Sequence, residues 1–188
     1  MNQKLELKHI AGYLPYGLKV EHIDYDYSDK VENKVVDVIF LAKDCIGFSD
    51  GADYYFHPED MDDYNPSIKP LIRPMSDLYK PCLEDGKIPI VELAKIAGNH
   101  FTDYKISNIT KPHSDIFICG VKWYDEGDEC YYVFGWDDVN GFGFHNYDTK
   151  EILFVPHQIQ LFEKLYQWHF DIHGLIEKNL ALDMNTIR

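Results

Sequence analysis

Three segments in the third quarter of the chain, "DIFICGVKWYD", "ECYYVFGWDD" and "GFGFHNYD", constrain the fold more than any other feature. Each is short, dense in β-branched and aromatic side chains, and bounded by turn residues, with "EGD" after the first and Asn140-Gly141 before the third. Asn-Gly favours a two-residue type I′ hairpin, because both central residues there take positive φ. A three-strand antiparallel meander is predicted, with "EILFV" as a further strand. Pro156 then opens a helix that Gly174 closes. Leu161, Leu165, Trp168 and Ile172 fall on one helical stripe, widened by Phe162, Tyr166 and His169. Gln160, Glu163, Lys164, Gln167 and Asp171 gather on the opposite side. The predicted class is α+β: an antiparallel, aromatic-rich sheet (meander over about 115–155) packed by a long C-terminal helix (about 156–173), with short helices elsewhere.

The remainder fits a single domain over 1–188. "LELKHIAGYLP" reads as a short helical turn stopped near Gly12 and Pro15. "YGLKVEHI" alternates as a strand with Leu18, Val20 and His22 on one side. "KVVDVIFLAKDCIGF" is the central-strand candidate of the N-terminal half. Residues 49–70 mix aromatics, acids and prolines, which predicts an acidic surface excursion with a short strand at "DYYFH". "PLIRPMSDL" reads as an extended connector, with Ser76 or Asp77 capping a helical turn. A turn at Asp85-Gly86 precedes a helix over 90–97, which Gly98 ends in the left-handed conformation. "LIEKNLAL" is expected to form a last short helix.

Charge limits the function classes. The chain carries 18 basic and 32 acidic residues, a net −14, concentrated in residues 24–65 and 113–150. Such a field repels a phosphate backbone, so direct nucleic-acid binding is disfavoured, whereas a basic or nucleic-acid-binding protein partner is favoured. Solubility alone also accounts for it. No run of about 18 apolar residues offers a membrane span, and the N-terminus lacks the pattern of a secretory signal, so a cytoplasmic location is expected. Cys45, Cys82, Cys119 and Cys130 are widely spaced and read as buried free thiols.

Four candidate features carry chemistry. His169, Asp171 and His173 alternate, and on a strand they would share a face. On the helix that the stripe demands, Asp171 turns to the opposite side, leaving His169 and His173 as an i, i+4 pair able to hold a metal. A third ligand would have to come from His57, His113 or His145, and no glutamate base lies between the pair. The structural alternative is a pair of core-edge histidines, and it carries more weight. Second, "HPEDMDDYN" is acid-dense but lacks calcium-loop spacing. Third, Trp123, Tyr124, Tyr131, Tyr132, Phe134, Trp136, Phe142 and Phe144 line the meander, and alternation turns about half of them away from the core. Fourth, Asp60, Asp62, Asp63, Asp125, Glu126 and Asp128 are candidates for contacting a protein partner. No phosphate loop, nucleophile elbow or paired-carboxylate signature is present, so no catalytic residue and no cofactor is expected.

"LELKHIAGYLPYGLKV", "IKPLIRPMSDL" and "LFEKLYQWHFDIHGLIEKNLALDMNT" together resemble a family of small proteins encoded by phages and prophages of gut Bacteroidetes. The three blocks cover a quarter to a third of the chain and include no catalytic motif. The resemblance implies an intracellular, phage-derived accessory protein. Where similar proteins carry an aromatic before the glycine, this chain has His173, and where they often carry glycine it has Asn179. An aromatic at position 173 fits packing and weakens the metal reading, while Asn179 supports a helix end. The expected function is a non-enzymatic accessory protein that binds another protein through an acidic and aromatic surface. A metal-dependent enzyme using His169 and His173, or a virion or assembly component, are the alternatives.

Overall fold

The structure, a computed structural model, describes residues 4–25, 31–42, 45–51, 53–55, 68–98, 105–107, 119–125, 128–137, 141–146, 149, 151–155 and 157–187. The fold is mixed α+β with two largely antiparallel sheets. The chain divides into two compact units, Met1–Met75 with Leu165–Arg188, and Ser76–Lys164.

In the first unit, helix α1 (Leu7–Ile10) runs into a 3-10 helix, Ala11–Tyr16, that passes through both Gly12 and Pro15 and ends at Gly17 with φ 73°. The turn therefore lasts longer than the sequence suggested. Pro15 fits there because its fixed φ of about −65° lies within the 3-10 range. The sheet has the order β11-β5-β1-β2-β3-β4. Its members are β1 (Lys19–Tyr25), β2 (Val31–Leu41), β3 (Cys45–Phe48), β4 (Asp53–Tyr55), β5 (Lys69–Ile72) and β11 (Leu182–Asp183). β2 lies between β1 and β3, as its apolar composition predicted, and among the described residues of this sheet only β11 joins its neighbour in parallel. Leu18, Val20 and His22 share the buried side. The core joins them to Ile10, Tyr13, Val36, Val38, Ile46, Phe48, Ile72 and Leu175. β4 realises the start of the strand expected at "DYYFH"; residues 56–67, most of the acidic excursion, lie outside the described residues.

In the second unit the meander is real and longer. β6 (Lys105–Ser107), β7 (Cys119–Asp125), β8 (Asp128–Asp137), β9 (Gly141–Asn146) and β10 (Ile152–Phe154) form an antiparallel sheet in the order β10-β9-β8-β7-β6. Its register pairs Phe134 with Phe144 and Trp136 with Phe142. Period two then places Tyr132, Phe134, Trp136, Phe142 and Phe144 on one face. Tyr132 and the three phenylalanines are buried. These five of the eight rings share one face; the side chains of Trp123, Tyr124 and Tyr131 lie outside the description. Asp137 pairs with Gly141, which leaves three residues between them and excludes the two-residue type I′ turn, although Gly141 does take φ 77°. Helix α2 (Pro89–Gly98) packs on this sheet through Ile90, Leu93, Ala94 and Ala97. Gly98 is its last, buried residue and does not take positive φ, contrary to the expected left-handed end. Asp85 and Gly86 do form the expected turn, with φ 62° and 68°. Asp77 lies inside a 3-10 turn, Met75–Tyr79, where it is buried and accepts a hydrogen bond from Lys80 Nζ at 2.8 Å.

The long helix is shorter than predicted. Helix α3 spans Gln158–Gln167, so it stops six residues before the expected end at 173. Its stripe is correct within those bounds: Leu161 and Leu165 are fully buried, and Gln160, Glu163 and Gln167 are exposed. At its start, Gln158 receives the Phe142 N–H at 3.0 Å and gives its amide to the Phe142 carbonyl, while Phe162 sets its ring edge-on to Trp136 at 5.5 Å.

What stops α3 is a backbone turn. His169 takes φ 59°, its N–H bonds the Tyr166 carbonyl at 3.0 Å, and the Phe170 N–H bonds the Leu165 carbonyl at 2.9 Å. This pair of bonds around a left-handed residue is the Schellman terminator, closed by the apolar pair Leu165 and Phe170. Ten residues later it recurs: Asn179 has φ 57°, its N–H bonds Ile176, and Leu180 N–H bonds Leu175 at 2.8 Å. The expected helix over "LIEKNLAL" is thus a single turn ended at Asn179. Left-handed φ costs a side chain with a Cβ about 1–2 kcal/mol, and asparagine bears it better than alanine. We expect Asn179→Ala to lower stability by about 1 kcal/mol and Asn179→Gly to leave it within about 0.5 kcal/mol, measured by chemical denaturation. Equal losses for the two would contradict the backbone origin of the turn.

Candidate functional site

The histidines singled out by sequence lie in the segment that follows α3, and they are not an i, i+4 helical pair. The chain leaves the helix at Gln167, bends at His169 and runs alongside Arg73, with Phe170 and Arg73 forming a parallel bridge. Arg73 N–H donates to the His169 carbonyl at 2.6 Å, and Asp171 N–H donates to the Arg73 carbonyl at 2.8 Å. Sequence periodicity could not foresee this, because the stripe through Trp168 and Ile172 continues past the backbone's own stop.

Asp171 is the clearest correction. Helical projection put it on the solvent side, yet it is 5% exposed. Its two carboxylate oxygens accept the Leu175 N–H and the Ile176 N–H, each at 2.8 Å. Those donors open the second terminator turn and have no carbonyl behind them, so the carboxylate satisfies groups that burial would otherwise leave unpaired.

The segment rests on the N-terminal helix and the 3-10 helix. Tyr13, fully buried, donates its hydroxyl to the Phe170 carbonyl at 2.6 Å. Burial, with the Asp171 carboxylate second, holds its phenol far above the usual range. The Tyr166 ring meets Tyr13 edge-on at 4.9 Å and covers Gly12, where an added Cβ would strike the ring. His169 stacks along Tyr13 at 6.2 Å. On the other side, His9 and His173 meet with centroids 5.5 Å apart at 53°.

The surroundings of His9, His169 and His173 disfavour the charged form of each ring. Burial lowers His169, Arg73 adds to this, and a hydrogen bond to the Tyr16 backbone opposes it. Burial also lowers His9 and His173. His9 occupies the third helical position of α1 and accepts the Glu6 N–H on Nδ1 at 3.0 Å, while Glu6 caps the His9 backbone in return. This reciprocal pair is a capping box with histidine in the place usually taken by glutamate or glutamine. Sequence reading passed over His9, although the spacing E-x-x-H was its signal. The Nε2 atoms of His169 and His173 are buried and have no hydrogen-bond partner.

Among the described residues no group of three His, Cys, Asp or Glu side chains is placed to hold an ion. Of the further ligands considered, His145 lies on β9 in the second unit, and His57 and His113 lie outside the described residues. Asp60, Asp62, Asp63 and Glu126 also lie outside them. Asp125 and Asp128 pair across the β7–β8 hairpin as its last register position. Cys45 and Cys82 are free thiols, half-buried rather than buried. No helix among the described residues is long and apolar enough to cross a membrane. Comparison with protein-family models, with curated proteins and with solved structures gives no match.

A different surface carries apolar groups to solvent. On β2, Val36 and Val38 point into the core, and Val35 and Asp37 point out. Between Val38 and Phe40 the register with β3 shifts, a β-bulge, so that Ile39 and Phe40 are both exposed, by 59% and 41%. Val35 is 44% exposed. Phe40 lies flat over Gly47, where a Cβ would collide with its ring.

The Asp171 clamp has a measurable weight. In Asp171→Asn one of the two backbone donors would face an amide N–H instead of an oxygen, at a cost of about 1–3 kcal/mol. We expect that loss in chemical denaturation, with a smaller loss for the half-buried Asp183→Asn. An unchanged midpoint for Asp171→Asn would rule out the clamp.

Proposed function

We propose that this chain is a non-enzymatic accessory protein of phage or prophage origin that binds a basic surface of another protein inside the bacterial host. The observation that carries the reading is the exposed β2 strip of Val35, Ile39 and Phe40 on a chain of net charge −14. Solvated strands normally alternate, and a bulge that turns two consecutive large apolar residues outward is a feature with a use. Acidic groups lie beside the strip, with Asp37 on the same strand and Glu21 opposite Val35 on β1. Lys19 is loosely paired to Asp37 at 3.9 Å. An apolar centre with an acidic rim complements a partner whose own apolar contact is ringed by Lys and Arg. The acid blocks at 24–65 and 113–150 would steer that encounter over a longer range. In its sharper form the partner is a nucleic-acid-binding host factor, whose basic face the protein would occupy in competition with phosphate. The phage origin rests on the family resemblance in the three sequence blocks.

Affinity capture from host lysate tests the reading. A basic protein, identified by mass spectrometry, should be retained at about 0.05 M salt and released at about 0.5 M, where screening shortens to a few ångströms. Retention should drop at least tenfold with Ile39→Asp combined with Phe40→Ala, a change confined to exposed side chains. Retention of no basic protein, or equal retention by the variant, would refute the proposal.

A further inference from the structure

We propose that the contact between His9 and His173 is an acid-sensitive latch that fastens the C-terminal segment, residues 171–187, to helix α1. The two rings come from opposite ends of the chain and meet at 5.5 Å, and the geometry around each leaves no place for a second proton. On His9, Nδ1 already accepts the Glu6 N–H, so the neutral ring carries its proton on Nε2. Charging that ring would set an N–H on Nδ1 against the Glu6 N–H and break the capping box. On His173, Nε2 is buried without a partner. An imidazolium would leave a charged donor there with nothing to accept it.

The surrounding charges do not relieve this. Lys8 and Lys178 both disfavour a cation at His173, and Lys178 is anchored in place by donating to the His173 carbonyl at 2.7 Å. Two carboxylates pull the other way, but each is engaged elsewhere. Glu6 holds Lys8 at 2.8 Å and caps α1, and Asp171 holds the amides of Leu175 and Ile176. Tyr13 spends its hydroxyl on Phe170, and Lys69 donates to Asn179 Oδ1 at 2.8 Å further along the segment. His169, beside Tyr13, shares the aversion to charge through burial and Arg73. Burial first, then the other ring for His173, places both latch histidines below the ordinary value.

The sign follows from linkage. The open segment exposes both rings, which then protonate near their ordinary value of about 6.5, while the closed form takes up protons only at lower pH. The latch is therefore at full strength above pH ~6.5 and weakens as pH falls toward the lowered values. Each ring contributes at most about a tenfold rise in the opening equilibrium per pH unit. Opening would release the Met184 amide from the Ile72 carbonyl and leave the turns that bond the Leu175, Ile176 and Leu180 amides to Asp171 and Leu175 without the packing that holds them closed.

Hydrogen exchange on the full chain between pH 7.5 and 5.5, corrected for the intrinsic rate, reads this directly. In the native sequence, opening at 175–184 should rise at least tenfold, with β1 and β2 amides rising less than threefold. The control is His9→Gln with His173→Phe. Glutamine keeps the acceptor for the Glu6 N–H and phenylalanine keeps the ring, yet neither titrates. This double variant should show the rise cut at least threefold, the remainder belonging to His169. A rise cut by less, or an equal rise in β1 and β2, overturns the latch. Should the double variant not fold, NMR titration of His9 and His173 in the native chain decides: midpoints below about 6.5 support the latch, and midpoints at or above it overturn it.

Discussion

The first unit depends on what happens to the backbone at Phe170. Four backbone groups that would otherwise be orphaned by the end of α3 are satisfied at Phe170 and its two neighbours. The Phe170 N–H closes the helix on Leu165, its carbonyl accepts the buried Tyr13 hydroxyl, and its neighbours bond both sides of Arg73. The ring itself is fully buried, a contribution of roughly 1.5–3 kcal/mol from removed apolar surface. This one residue thus ties the 3-10 helix near the N-terminus, the end of β5 and the C-terminal segment together. Asp171 then extends the tie by opening the next turn, and β11 completes it by pairing with β5. A chain folded this way brings residues about 160 positions apart into contact, and closing such a loop is entropically costly. The concentration of hydrogen bonds at 169–171 offsets that cost where it arises.

The second unit uses a different device, a ladder of rings. Phe134 with Phe144 and Trp136 with Phe142 are direct cross-strand partners, the arrangement in which aromatic side chains gain most from each other. Gln158 then fixes the start of α3 to this ladder through the backbone of Phe142, using both its donor and its acceptor on a single residue. The polar side chain sets where the helix begins, and Phe162 meets the ladder one turn later.

These two devices explain which parts of the fold could be read from the sequence. The meander was legible because aromatic and β-branched runs between turn residues have few other solutions, and Leu161 and Leu165 announced α3. Its end was not legible. The apolar stripe through Trp168 and Ile172 argues for continuation, and only the backbone bonds around His169, in a position glycine normally fills, reveal the stop. Asp171 was misplaced for the same reason, since its burial follows from a turn that helical projection does not contain. Asn179 was legible because asparagine signals left-handed φ in a way histidine does so more weakly. The partnership of His9 with His173 had no sequence signal at all, being a contact between chain ends. The type I′ assignment at Asn140-Gly141 failed because register, set by the aromatic pairs further along β8 and β9, outweighs a local turn preference.

The same competition between local pattern and register shapes the exposed face of β2. A strand reading V-V-D-V-I-F-L cannot alternate to its end without burying either Ile39 or Phe40. The register shift next to Ile39 lets Val36 and Val38 keep their places in the core while Phe40 is carried outward over Gly47. The glycine matters because its missing Cβ is the space the ring occupies. Core packing alone would be met equally well by polar residues at 39 and 40, as it is by Asp37 two positions earlier. The apolar pair is therefore the part of β2 on which the proposed partner surface rests. On the proposed reading, the net charge of −14 opposes the approach of a like-charged surface and favours one of opposite sign. A bulge, a glycine and an excess of carboxylates together make up the surface that we propose a basic partner would contact.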